Sequence, residues 1–183
     1  MITIASDYGK YLENIQNNTA IMDEIVPGVP ELIEIDLNSR AITLPSAFKD
    51  FLSVETDHYS ETVYFIVDRY FDDIDLSKKT IVIEYINAAG ESRIFPVCWR
   101  DTKTYKDDNK MLFAWSLSGD ATRAAGQIQF AVKFYSLEYN KESAQYYYTY
   151  NLATQVCTGN ILHGIENAEA IEDQYGYTDD VVK

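Results

Sequence analysis

The stretch from Gln127 to Phe134 alternates without a break: Ile128, Phe130, Val132 and Phe134 fall on one side, Gln129, Ala131 and Lys133 on the other. A strand with one buried face has this period of two, whereas a helix would scatter the same residues around its axis. The period recurs along much of the chain. Ile33, Ile35 and Leu37 alternate with Glu34 and Asp36, and after a turn at Asn38-Ser39 the segment Ala41 to Leu44 returns and ends at Pro45. Glu61 to Tyr70 is apolar on both faces, Val63, Phe65 and Val67 on one and Tyr64 and Ile66 on the other, as in a strand paired on both sides. Thr80 to Ile86 and Arg93 to Trp99 flank the turn residues Asn87-Ala88-Ala89-Gly90 and read as a hairpin. A polar loop, residues 101 to 110, leads to Met111, Phe113, Trp115 and Leu117 on one face, and Gln145 to Leu152 closes the series.

Short strands with turns between them and no alternating helices exclude a doubly wound parallel sheet. They predict an all-β chain folded as an antiparallel β-sandwich over residues 31–160. The apolar sets of its best strands, Val63, Phe65, Val67, Ile81, Ile83, Trp115, Ile128, Phe130, Val132 and Phe134, are the expected core. In a chain of 183 residues, one domain of ordinary size accounts for the length.

Helical periods lie outside that region. Tyr8, Tyr11, Leu12, Ile15, Met22 and Ile25 recur at steps of three and four over residues 7–26, with Ser6 or Asp7 as cap and Pro27-Gly28 as stop. Gly9 and Asn17-Asn18 weaken the pattern. Val26 to Pro30 reads as an extended linker, so residues 1–30 form an arm with a linker. The stripe packs either on its own sheet or on a neighbouring subunit. We expect the second and take these six residues as the assembly interface, because such a helix is marginal in water until its stripe is covered. Ile161, Leu162, Ile165, Ala168 and Tyr175 share a face and predict a C-terminal helical extension over residues 161–183, ending in a loose acidic tail.

The charge balance is 15 Lys plus Arg against 29 Asp plus Glu, a net −14. Such a surface repels phosphate backbones and anionic lipid, so nucleic acid is not an expected partner. No stretch approaches the roughly 18 apolar residues that span a bilayer, and no secretory leader is expected from the first residues. Cys98 and Cys157 form neither a disulfide framework nor a zinc pair and are expected to be reduced and buried.

Catalytic patterns are missing. His58 and His163 have no neighbouring ligands at strand or helix spacing, and no nucleophile-elbow, phosphate-loop or dinucleotide pattern occurs. We expect no enzyme and no cofactor. The densest acidic group is Asp68, Asp72, Asp73 and Asp75. It offers a calcium site in principle, but its spacing does not match an EF-hand, and a strand end followed by a solvated turn, with Asp75 capping and Arg69 screening, accounts for it. There are 15 tyrosines, and Tyr146, Tyr148 and Tyr150 would point one way on a regular strand, with Tyr147 opposite. Facing out, that row would suit a protein interface or stack on sugar rings; facing in, it is ordinary strand packing.

The run of motifs I-E-I-D-L-N-S-R-A-I-T-L-P, V-Y-F-I-V-D-R-Y-F-D-D-I-D-L-S, I-V-I-E-Y-I-N-A-A-G, F-A-W-S-L-S-G-D-A-T-R-A-A-G-Q-I-Q-F-A-V-K-F and Y-Y-T-Y-N-L resembles phage virion proteins of the upper-baseplate N-terminal type, found in tailed phages and prophages of Gram-positive gut bacteria. The resemblance covers roughly residues 32 to 160. It implies an immunoglobulin-like sandwich that anchors fibres or receptor-binding parts to the particle and is not an enzyme. A fibre-bearing member would continue past the sandwich, so the end at Lys183 leads us to expect an adaptor or decoration subunit of baseplate, tail or capsid. Its expected partners are further copies of itself and other virion proteins. It would be made in the host cytoplasm and reside in the virion. The alternative is a carbohydrate-binding sandwich that takes part in host-surface attachment, with a glycan as partner.

Overall fold

A computed structural model describes residues 3–29 and 31–164. In chain order the elements are β1 (Thr3–Ile4), α1 (Ser6–Asn18), β2 (Met22–Asp23), β3 (Ile33–Ile35), β4 (Ile42–Thr43), α2 (Ser46–Lys49), β5 (Ser53–Val54), β6 (Thr62–Asp68), β7 (Tyr70–Phe71) and β8 (Ile74–Asp75). A 3₁₀ turn at Leu76–Lys78 leads into β9 (Thr80–Ile86), β10 (Ser92–Pro96), β11 (Trp99–Asp101), β12 (Lys110–Ser116), β13 (Gly126–Asn140), β14 (Gln145–Ala153) and β15 (Cys157–Leu162).

Two sheets pack face to face. In one, β13 is the spine, with β9 along one side and β14 and β15 along the other, and β10, β1 and β5 lie at its edges. The other runs β2-β11-β12-β6-β3-β4. The chain is thus an all-β sandwich. The antiparallel expectation needs one amendment: β3 with β6, β2 with β11 and β5 with β15 pair in parallel.

The ten residues expected in the core are all buried between the sheets. Phe65 and Phe113 stack at 4.9 Å within one sheet, and Phe130 and Phe134 meet them edge-on from the other at 6.2 and 6.0 Å. Such offset and edge-to-face pairs add to the burial itself.

The N-terminal segment departs from expectation. The helix stops at Asn18, and it lies on the outer face of its own sheet. Leu12 and Ile15 are buried there against Val82, Tyr135, Leu137 and Tyr146. Two of the six residues expected at an assembly interface are therefore consumed by the fold. Gly9, which weakened the helical pattern, is what allows this approach: a Cβ at that position would sit 2.6 Å from the Tyr146 ring. The Tyr135 hydroxyl donates to Leu12 O at 2.7 Å, so the helix is tied as well as packed.

Met22 and Ile25 fall beyond the helix. Met22 belongs to the edge strand β2, parallel to β11, and Val26 is buried. Its N–H donates at 2.9 Å to Asp101, which also accepts from the N–H groups of Lys103 and Thr104 at 2.8 and 3.0 Å and from the Thr104 hydroxyl. The segment expected to be a spacer is thus fixed to the sandwich at Val26. At the other end, Ile161 and Leu162 lie in β15 rather than in a helix; Ile165, Ala168 and Tyr175 lie outside the described residues.

Candidate functional site

Where α1 crosses β9 and β13, four polar side chains converge. The Tyr8 hydroxyl donates to the Glu84 carboxylate, and Lys133 Nζ reaches Glu84 at 3.3 Å and the Tyr8 and Tyr148 hydroxyls at 3.2 and 3.1 Å. The Lys133 ammonium also lies 5.3 and 5.5 Å from the Tyr8 and Tyr148 ring centres, within cation–π range. Burial and the hydrogen bond to Glu84 push the Tyr8 hydroxyl up to about 12. Burial opposes the Lys133 charge, but the Tyr148 hydroxyl, Glu84 and Tyr8 outweigh it and hold the ammonium above the ordinary lysine range. At neutral pH the tyrosine is protonated and the lysine charged. Neither is poised to move a proton, so the cluster suits anchoring rather than acid–base work.

The cluster borders a cleft of about 1010 Å³. Its walls are Tyr8 and Tyr11 of α1, Glu84 and Ile86 of β9, every residue of β10, and Tyr59 and Asp120 at the sandwich end. Tyr11 and Tyr59 are more than half exposed, at 52% and 59%. Cys98 also lines the cleft, and its carbonyl accepts from Met22 N at 2.9 Å. The exposed N-terminal residues Ile21 and Met22 therefore sit close to one end of it.

The expected site residues separate. Tyr11, Met22 and Ile25 are exposed, whereas Leu12 and Ile15 are buried and Tyr8 is half-buried. The tyrosine row is broken. Ser136 pairs with Tyr150 but Leu137 pairs with Tyr148, which leaves Thr149 as the extra residue of a β-bulge. Tyr146 and Tyr148 therefore pack on the outer face beneath α1, while Tyr150 turns to the inner core. Tyr146, covered by the helix, is buried, and no exposed row of three tyrosines forms.

The four aspartates do not assemble either. Asp72 and Asp73 form the tip of the β7–β8 hairpin, both with positive φ (49° and 66°), the turn that two-residue hairpins favour. Asp68 pairs with Lys110 across the sheet. Asp75 receives Arg69 Nε and Nη2, each at 3.1 Å, and caps the 3₁₀ turn through Ser77 N. Among the described residues no three His, Cys, Asp or Glu side chains come together as a metal site. The cysteines are free, as expected, but not buried: Cys98 is exposed and Cys157 half-buried. His58 Nδ1 accepts from Gly119 N at 2.7 Å, and exposed His163 lies 3.6 Å from Glu55.

Arg100 is the functional-looking residue that periodicity missed. It is buried beside Phe113 and donates to the carbonyls of Ser77 and Lys79, which tie its sheet to the strand entering the other. Burial pulls its guanidinium down to about 10. Its Nε and Nη2 find no partner among the described residues.

Comparison of the chain with protein-family models, with curated proteins and with solved structures returns no match.

Proposed function

We propose that this chain is a structural virion protein of a tailed bacteriophage. It acts as an oligomeric adaptor or decoration subunit of baseplate, tail or capsid, built on an immunoglobulin-like sandwich, and anchors other virion parts such as fibres. It is not an enzyme on this reading, and its partners are further copies of itself and neighbouring virion proteins. The motif order quoted above supports the reading. The observation that carries it is the concentration of solvent-facing apolar side chains on the N-terminal segment: Tyr11 (52%), Ile21 (47%), Met22 (46%) and Ile25 (62%). A monomer gains nothing by exposing these side chains so close together, whereas a subunit covers them on assembly. Mass spectrometry of gradient-purified particles tests it. The chain is expected at a fixed stoichiometry, and Met22→Ser with Ile25→Ser should reduce incorporation while the free protein stays folded. Absence from particles would reject the reading.

One observation favours a second reading, a glycan-binding sandwich: Tyr11 and Tyr59 line the cleft together with Glu84 and Asp120, and aromatic rings with carboxylates are a sugar-binding combination. Glycan affinity of the isolated chain that Tyr11→Ala abolishes would favour it.

A further inference from the structure

Among the described residues, five strands end the two sheets. Four of them, β1, β2, β4 and β5, are two residues long, too short to template another chain. The fifth, β10, has five residues and pairs only with β9 among the described residues. Its free side opens on the cleft, which every one of its residues lines.

The groups on that free side follow from the pairing. Asn87 N donates to Glu91 O at 3.0 Å and Val97 N to Ile81 O at 2.9 Å, which fixes the hydrogen-bonded pairs of the hairpin at odd-numbered residues. In the register Ser92–Ile86 to Pro96–Val82, Arg93 and Phe95 therefore direct their main-chain groups to β9. Ser92, Ile94 and Pro96 direct theirs outward. The outward set is the N–H and C=O of Ser92, the N–H and C=O of Ile94, and the C=O of Pro96, which has no N–H.

We propose that a second copy of this chain adds to this edge, β10 against β10 in antiparallel sense, with the two-fold axis at Ile94. The pairing rests on reading the chain as an assembling subunit and names the surface it uses. Across the axis each Ile94 N–H meets the other's C=O, and each Ser92 N–H meets the C=O of Pro96 in the second copy. One acceptor, Ser92 O, would lack a donor because Pro96 has none. That acceptor is already taken: Arg93 Nη1 donates to it at 2.9 Å. The pairing thus leaves no edge group unmatched, as a two-fold contact requires of a surface that meets itself.

The charges agree. In a chain of net −14, β10 carries no acid, and its one charge is Arg93. Direct pairs across the axis are Ser92 with Pro96, Arg93 with Phe95 and Ile94 with Ile94, so each guanidinium meets an aromatic ring rather than a like charge. Each Arg93 keeps its own Glu91, at 3.5 Å. The result is one continuous sheet through both copies, with the cleft filled from the edge.

The test is sedimentation equilibrium of the full chain under reducing conditions, which silences exposed Cys98. The native chain is expected to dimerise in the micromolar range. Ser92→Pro and Ile94→Pro each remove two edge donors from the dimer and none from the β9 pairing, and each should weaken it about tenfold or more. Amide exchange gives a readout that needs no variant: the Ser92 and Ile94 amides should become protected as concentration rises. A monomer throughout this range, a dimer unaffected by both variants, or protection of these amides independent of concentration would overturn the proposal. The outcomes separate it from the virion reading: incorporation into particles without a β10 dimer overturns only the edge pairing, and a β10 dimer in a chain missing from particles overturns only the virion role.

Discussion

The side-chain amide of Gln16 pairs with both main-chain groups of Leu137: Nε2 donates to Leu137 O at 3.1 Å, and Oε1 accepts from Leu137 N at 2.9 Å. Leu137 lies past the end of β9, whose last partner on β13 is Tyr135, and beside the register shift against β14. A helix side chain thus does there what a further strand would do. Gln16→Leu should leave a half-buried donor and acceptor unpaired and cost roughly 2 kcal/mol, read as a lower urea midpoint at unchanged slope. An unchanged midpoint would mean that water serves these groups equally well.

Gly9 makes a sharper test of the same contact. In an exposed helix, Gly→Ala stabilises by about 1 kcal/mol. Here the new Cβ meets the Tyr146 ring, so Gly9→Ala should instead destabilise by roughly 1–3 kcal/mol. Stabilisation on thermal melting would place the helix elsewhere.

In the core, Phe130 contacts Phe65 from the facing sheet and Trp115 at 5.2 Å. Phe130→Ala should cost roughly 3–5 kcal/mol, measured by chemical denaturation. A loss below about 1 kcal/mol would remove Phe130 from the centre of the sandwich.

Stability should fall on the acid side. Burial opposes the charge on Asp101, but the Thr104 hydroxyl and the N–H groups of Val26, Thr104 and Lys103 outweigh it and hold the carboxyl below its ordinary value. A carboxyl depressed in the folded state contributes stability above its unfolded value and loses that contribution as pH falls through the folded one. Unfolding free energy measured from pH 7 downward should therefore drop below about pH 4, and Asp101→Asn should flatten the drop. An equal drop in Asp101→Asn would assign it to other carboxylates.

Removing divalent metal should change nothing, because the aspartates of the 68–75 segment are engaged with Lys110 and Arg69 or lie on a hairpin tip. Melting with chelator and with added calcium should coincide. A calcium-dependent rise would reinstate the site.

The core was legible because β13 carries its burial pattern in plain alternation from Gln127 to Phe134, and β9 has the bounds read for it from the sequence, Thr80–Ile86. What escaped has physical reasons. The bulge at Thr149 reverses the tyrosine row without any glycine or proline to signal it. The last strand looked helical because Gly159 reads as a break. In the fold it is the position where Leu52 presses on β15, at 2.4 Å from where a Cβ would stand. The helix stripe of residues 7–26 joined two elements, since Asn17 and Asn18 end the helix and the exposed residues Met22 and Ile25 follow in extended chain. The cleft draws on α1, β9, β10 and the sandwich end, a combination of distant segments that no local pattern shows.

The virion role proposed above is tested most directly by a cryo-electron-microscopy map of the intact particles proposed to carry this chain. Density for this sandwich is expected in symmetric copies, with Tyr11, Ile21, Met22 and Ile25 buried against a neighbouring subunit. A particle whose map has no such density, with the chain recovered only as free protein from the lysate, would contradict that role.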